Sequence, residues 1–465
     1  MTTAQIGLIG LGTMGAALAS NIADNGFDIA VWNRTTSVTH DFVKNAGDLA
    51  PRITGTDTLA DLVAALAKPR AIILMVPAGQ PVDDQIAALR PLLDADDLIV
   101  DAGNALFHDT TRRVRATTGP FLGIGVSGGE DGARFGPSIM GGGERVHWDR
   151  VAHILEAISA KYEGTPCATW MGIEGAGHFV KAVHNGIEYA DMQMIAEVYG
   201  VMRDGFGMAA PDIGAVFERW NKGPLQSYLI EISGEVAKAI DPKTNTPILD
   251  IIVDAAGQKG TGRWTAIEAQ HLASPIPGIE AAVVARNLSS RRDERAAGEA
   301  LFGPAPVAIP ADALGIDQLE TGLIAGKILS YAQGFAMIEA ASVAYDWSLP
   351  LPDIARVWRQ GCIIRSTMLN DMATALTDHP DRNLMRAPTF AALLKAHHMA
   401  LRKLVAVGTL HGIAMPALSS SIAYFDAMRT ARGTANMIQG QRDYFGRHSF
   451  ARLDGGDGWH GPWAG

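Results

Sequence analysis

Gln5-Ile-Gly-Leu-Ile-Gly10-Leu-Gly-Thr-Met-Gly15 decides how the first third of the chain folds. Gln5–Ile9 is a short apolar run that fits a strand, Gly10, Gly12 and Gly15 follow in GxGxxG spacing, and a helical pattern continues through Ala23. Strand, glycine loop and helix in this order hold a dinucleotide. Two of the glycines let the backbone turn and approach a pyrophosphate, the third lets helix and strand pack closely, and the helix N-terminus offers unpaired N–H groups to the anion. A second strand, Ile29–Trp32, completes the setting that gives such a loop its meaning. The end of that strand selects the cofactor. An acidic residue there would accept bonds from a ribose 2′-hydroxyl, but the chain carries Asn33-Arg34-Thr35. A guanidinium and two neutral hydrogen-bonding side chains suit a 2′-phosphate, so the expected cofactor is NADP.

Working outward, strands at Ala71–Val76, Leu98–Asp101 and Phe121–Val126 alternate with helical patterns at Asp57–Ala67, Val82–Leu92 and Asp109–Ala116. That alternation predicts an α/β, Rossmann-like, doubly wound sheet. Two loops at strand ends stand where open sheets bind ligands: Asp101-Ala-Gly-Asn104, and Ser127-Gly-Gly129 running on to Glu130 and Arg134.

After Gly172 the alternation stops and long helical patterns take over, from about Gly177 to Phe206 and from about Asp317 to Tyr345. The related segments Pro211–Phe217 and Pro352–Trp358 follow them, which suggests a duplicated unit in an all-α region. Within the first long helix, His178–Tyr189 places Lys181, His184, Asn185 and Glu188 at i, i+3, i+4 and i+7, on one face. A lysine and a carboxylate aimed into one enclosed volume form an acid/base pair, whereas a solvated charged face would need no enclosure. Gly257-Gln-Lys259-Gly-Thr261-Gly-Arg263-Trp264 is a glycine loop with cation and hydroxyl, apt for a phosphate, and Arg286 follows in a helix. From Thr434 a glycine- and aromatic-rich tail carries Arg442, His448, Trp459 and Trp463; aromatics in such number need a surface to cover, which points to a partner subunit. The expected divisions are 1–176, 177–433 and 434–465.

Composition agrees with several domains: 465 residues, 48% hydrophobic and 19% charged, exceed what one core usually serves. A net charge of −10 argues against a nucleic-acid binder, so an anionic ligand needs a local cluster of cations. Cys167 and Cys362 make neither a disulfide framework nor a thiolate metal site. The absence of a signal pattern and of a long apolar run points to a cytoplasmic protein off the membrane. His108-Asp109 and His397-His398 lack ligand spacing and read as surface or packing residues.

The stretches GVSGGEDGARFGPSIM, GHFVKAVHNGIEYADMQ, GQKGTG, YAQGF, GCIIRS and QRDYFG, together with the first glycine loop, NRT and DAGN, span nearly the whole chain. In them the sequence resembles the 6-phosphogluconate dehydrogenase family, decarboxylating and NADP-linked enzymes of the pentose phosphate pathway and gluconate use. The resemblance implies that Lys181 is the base for the 3-hydroxyl proton and Glu188 the acid that later protonates carbon. It places Asn104, Ser127, Gly128, Gly129, His184 and Asn185 around the carboxylate and hydroxyls of the sugar acid. Tyr189, Lys259, Thr261 and Arg286 are implied as its phosphate site, and Arg442 and His448 as tail residues lent to the other subunit of a homodimer. Gly10, Leu11, Gly12, Thr13, Met14, Gly15, Asn33, Arg34, Thr35, Met75, Val76 and Asn104 are implied to hold NADP, with no metal. Pro77, Gly141, Arg263 and Gly440 depart from the residues more usual in the family, Lys, Pro, Lys and Ala. A silent NADPH-binding scaffold would not keep Lys181 and Glu188, and a superfamily dehydrogenase or imine reductase for unphosphorylated substrates would leave Lys259, Arg286, Arg442 and His448 without a task.

Overall fold

The computed structural model describes residues 3–116, 119–380 and 382–463. Its first part is an eight-stranded sheet built from β1 (Ile6–Ile9), β2 (Ile29–Trp32), β3 (Ile53–Gly55), β4 (Ala71–Leu74), β5 (Leu98–Asp101), β6 (Phe121–Ser127) and β7 (Ser138–Gly143). A small hairpin of β8 (Lys161–Tyr162) and β9 (Thr165–Pro166) stands apart, and β10 (Ala168–Gly172) completes the sheet. The order is β10-β7-β6-β5-β4-β1-β2-β3, with every neighbour parallel except the antiparallel pair β6 and β7.

Both faces are covered by helices, so the strands are apolar throughout rather than alternating. Ile6, Leu8, Val31, Ile73 and Val100 point into one core, while Ile9, Ile72, Leu74 and Ile99 point into the other. The chain order reverses between β1 and β4, and the Gly10–Gly15 loop sits there, as the sequence predicts for a nucleotide crevice. Two strands differ from expectation. β4 stops at Leu74, because Met75 and Val76 turn out to line that crevice. β7 reads poorly as a strand because it is half glycine, yet those glycines are required. A Cβ on Gly142 would press on the backbone of Gly177, and one on Gly141 would strike the Trp148 ring. The indole thus occupies the room that a larger residue at Gly141 would need.

The second part is all helix. Ala176–Gly200, extended by a π turn at Val201–Gly205, packs along Ile316–Ala344. Gly334 makes the crossing close, since a Cβ there would meet Ile187. Between the two helices Lys327 and Asp191 form an ion pair of 2.8 Å, and both are fully enclosed. The expected duplication is visible in the element order. Each long helix leads to a proline-initiated helix, Ala210–Trp220 or Leu351–Val357, and then to Tyr228–Lys238 or Met368–Asp378. Ser227 and Ser366, just before the last two, face each other in an antiparallel bridge.

The tail, whose last two residues lie outside the described ones, forms the helix Ala435–Gly446 and a returning loop. Asp443 organises it by accepting hydrogen bonds from the backbone of Ser449 and Gly461 and from His460 and Trp463, at 2.7–2.9 Å. Burial alone would raise the Asp443 pKa, but these donors outweigh it and bring it down to about 2. Around that anchor Tyr444, Phe445 and Leu453 are exposed.

Candidate active site

Two adjoining hollows lie at the carboxyl ends of the strands. The first, about 360 Å³, is lined by Gly10, Gly12, Asn33, Arg34, Thr35, Met75, Val76 and Pro77, contributed by the loops after β1, β2 and β4. Its shape depends on absent side chains. Gly10 has a φ of +98° and its hydrogen faces the Met75 carbonyl; a Cβ on Gly15 would run into the Gly10 carbonyl. Asn33 accepts a hydrogen bond from the Leu11 N–H at 3.0 Å, tying the glycine loop to the end of β2. Leu11 itself is buried in the core, and Thr13 opens the helix Thr13–Asp24. The residues present therefore fit a dinucleotide, and Arg34 stands exposed at the rim of the hollow. Trp32, Pro81, Asp84 and Gln85 also line this hollow, and the sequence reading missed them.

The second hollow, about 560 Å³, brings together Met14, Asn104, Ser127, Gly128, Gly129, Lys181, Asn185, Glu188, Tyr189, Lys259, Thr261 and Arg286. Residues from both halves of the molecule thus meet as the sequence predicts. The 176–200 helix can lie on β6 because Gly125 has no Cβ to collide with Lys181.

Lys181 is the centre of a closed hydrogen-bond chain. Its ammonium donates to the Asn185 side-chain oxygen at 2.7 Å and to Ser127 Oγ at 3.0 Å. The Asn185 oxygen can only accept, so His184 Nδ1, 2.9 Å away, carries the proton that it shares with that oxygen. Nε2 of His184 is then left to accept from Ser127 Oγ at 3.3 Å. On its other side Asn185 donates to Thr261 Oγ1 at 2.9 Å, which links the lysine to the glycine loop.

The electrostatics follow from enclosure. Burial lowers the Lys181 pKa below the ordinary lysine value, with the Glu188 charge opposing it. Burial, aided by Lys181, holds His184 well below the usual range, so it is neutral. Burial raises the Glu188 pKa, and the charges of Lys181 and Arg286 only partly offset it. The two pKa values are thus moved toward each other, an arrangement suited to acid/base work near neutrality. Burial pushes the Cys362 thiol up to about 12, so it is no nucleophile.

At the far end, Thr261 begins the helix Thr261–His271, and the preceding Gly260 takes a φ of +97°. The free N–H groups of that first turn favour an anion. Arg286 lies with its guanidinium over the Tyr189 ring at 3.5 Å and donates to the Gly257 carbonyl at 3.2 Å. That end of the cavity is cationic although the whole chain is acidic.

Three expected contributors fall elsewhere. His184 is fully buried and stands behind Ser127 and Asn185 rather than on the cavity wall. Arg442 and His448 are exposed on the tail, with Arg442 bonded to Gln439 at 3.0 Å, and neither reaches this chain's own cavity. Conversely Val126, Gln258 and Ile363 line it unforeseen. Ile363 belongs to the quoted stretch GCIIRS, whose apolar character concealed its position.

Comparison with known proteins agrees with this geometry over the full length. Residues 5–172 match the NAD binding domain of 6-phosphogluconate dehydrogenase, and residues 177–463 match the 6-phosphogluconate dehydrogenase C-terminal domain. Two Bacillus subtilis proteins, an NADP(+)-dependent and an NAD(+)-dependent decarboxylating 6-phosphogluconate dehydrogenase, are each 44% identical. The first aligns over 100% of both chains and the second over 99% of both. The Plasmodium falciparum 6-phosphogluconate dehydrogenase, solved apo, with NADP+ and with 6-phosphogluconate, superposes with a TM-score of 0.94 at 38% identity, over 99% of this chain and 100% of that one. The chain belongs to the 6-phosphogluconate dehydrogenase family.

Proposed function

We propose that the chain catalyses oxidative decarboxylation of 6-phosphogluconate to ribulose 5-phosphate and CO2, with NADP as oxidant. The observation that carries this is the enclosed Lys181, with Glu188 two helical turns on along the same face and a cationic end of the cavity beyond them. The bound nicotinamide supplies the hydride acceptor. Lys181, whose pKa burial lowers, takes the proton of the 3-hydroxyl in its neutral form as C3 is oxidised. The resulting ammonium then faces the new carbonyl oxygen, so electrons released by the departing carboxylate have a cation to flow toward. No metal is needed for that step. Glu188, whose pKa burial raises, donates in its protonated form to the carbon that carried the carboxylate, which becomes C1 of the product. Ser127 and Asn185 orient the lysine and the sugar hydroxyls, and His184 fixes Ser127 from behind. Lys259, Thr261 and Arg286 hold the phosphate, and Tyr189 supports the guanidinium from below.

The same reading divides the chain into a nucleotide domain, 1–176, a helical domain, 177–433, and a tail, 434–465, that docks on a second copy. Exposed Tyr444, Phe445 and Leu453 support that docking, as does the absence of Arg442 and His448 from the lining of their own cavity. No described helix is long and apolar enough to cross a membrane; a cytoplasmic enzyme agrees with that. Because similar relatives use either dinucleotide, the preference for NADP rests on Arg34. Absorbance at the NADPH band, with 6-phosphogluconate against gluconate and NADP against NAD, tests the proposal. Equal rates with unphosphorylated gluconate would refute it.

A further inference from the structure

We infer that His108, Glu268 and His271 form a site for a divalent transition-metal ion of the Zn2+ type, bracing the sheet half of the molecule against the helical half. His108 begins the helix Phe107–Ala116, whereas Glu268 and His271 end the helix Thr261–His271. Sequence spacing shows only two of the three ligands. Glu268-Ala-Gln-His271 is an i, i+3 pair of the kind that turns two ligands to one side of a helix. The third ligand arrives from a different part of the chain.

The geometry suits a metal. Glu268 Oε2 lies 2.8 Å from His108 Nε2 and 3.3 Å from His271 Nδ1, and the three donor atoms lie within 4.8 Å of one another. Ligands about 2.0–2.2 Å from a tetrahedral ion stand roughly 3.3 Å apart, so small rotations of the two rings admit one. Two imidazoles and one carboxylate are also a ligand set that Zn2+ accepts, and the half-exposed histidines leave a fourth position open to water.

Two further features orient the ligands. Glu268 is buried, and its other oxygen, Oε1, accepts from the Tyr345 hydroxyl, which fixes the carboxylate as an outer partner does in metal sites. The His108 ring lies against Phe107 at 3.9 Å and edge-on to Tyr345 at 6.3 Å, so its direction is set by packing. The two helices joined here both start beside cavity residues. One starts just after Asn104 and the other starts at Thr261. A bound ion therefore restrains those two helices without touching the reacting atoms.

The full-length protein, stripped with a chelator, is titrated with Zn2+ against a chromophoric competitor and, separately, with Co2+ while visible absorption is recorded. One Zn2+ per chain, tetrahedral Co2+ bands and a rise in melting temperature of about 2–4 °C at saturation are expected. His271→Ala, a change at an exposed side chain, should lose the Co2+ bands and weaken Zn2+ binding at least about tenfold while dehydrogenase activity stays within about twofold. Tyr345→Phe should weaken Zn2+ by roughly 10–100-fold through loss of the carboxylate's outer partner. Absence of stoichiometric Zn2+ binding in the parent, or unchanged binding in both His271→Ala and His108→Ala, overturns the inference. The outcome is read without any assay of 6-phosphogluconate oxidation, so it stands or falls apart from the catalytic reading.

Discussion

Lys181 donates its shortest hydrogen bond, 2.7 Å, to the side-chain oxygen of Asn185, one helical turn away. The partner is a neutral amide. A carboxylate at that distance would lock the lysine in its charged form, whereas the amide orients the ammonium and leaves burial free to lower its pKa. A base must be neutral before it acts, so activity should rise as pH climbs through this lowered value. Asn185→Asp, nearly equal in volume, should therefore move the acid limb of the kcat profile to higher pH. An unmoved limb would mean that another group controls it.

Lys181→Met should reduce hydride transfer by roughly two to four powers of ten, the scale of one positioned acid/base group. Glu188→Gln should act later. Its carboxyl must be protonated to donate, and burial raises its pKa, so the alkaline limb of the profile belongs to it and should vanish in the variant. Single-turnover NADPH formation should survive in Glu188→Gln while ribulose 5-phosphate release slows. If both variants lose NADPH formation equally, the two roles are not separate.

Arg34→Asp tests the cofactor reading at the rim of the first hollow. The new carboxylate repels a 2′-phosphate yet can accept from a 2′-hydroxyl. KM for NADP should rise sharply with NAD use largely unaffected. Equal losses for both dinucleotides would place the 2′ position elsewhere.

Legibility from sequence followed the range over which each constraint acts. The Gly10–Gly15 turn and the Lys181–Glu188 face are local, since backbone sterics and helical spacing dictate them from adjacent residues. β7 was illegible because its glycines make room for the Trp148 ring of the next helix and for Gly177, 35 residues beyond Gly142, contacts that no strand pattern signals. His184 was visible as part of the face, but its place behind Ser127 depends on how closely β6 and the helix approach. Ile363 and the His108–Glu268–His271 group were hidden for the same reason, because their partners come from separate elements.

Lys327 and Asp191 offer a test of stability without direct substrate contact. Both are enclosed between the long helices, 2.8 Å apart. Lys327→Met leaves the Asp191 charge buried without its cation and should cost about 3–5 kcal/mol in denaturant unfolding. Adding Asp191→Leu should recover much of that loss, because desolvating an unpaired charge is the dominant cost. If the double variant is no better than the single one, packing around the pair matters more than its charge.

The tail prediction concerns two copies of the chain. Arg442 and His448 are exposed on a segment that Asp443 holds in shape, and neither lines its own chain's cavity. If they complete the neighbouring site, Arg442→Ala should chiefly raise KM for 6-phosphogluconate, as loss of a phosphate clamp does. Sharing is tested by mixing two inactive proteins, one with Lys181→Met and the other with Arg442→Ala and His448→Ala, and reassembling them. A heterodimer that exchanges tails gathers both defects in one site and leaves the other intact, so activity returns. A tail that serves its own subunit leaves every site with one defect. Mass measurement confirms that heterodimers have formed, and a mixture that contains them yet stays inactive would falsify the shared site.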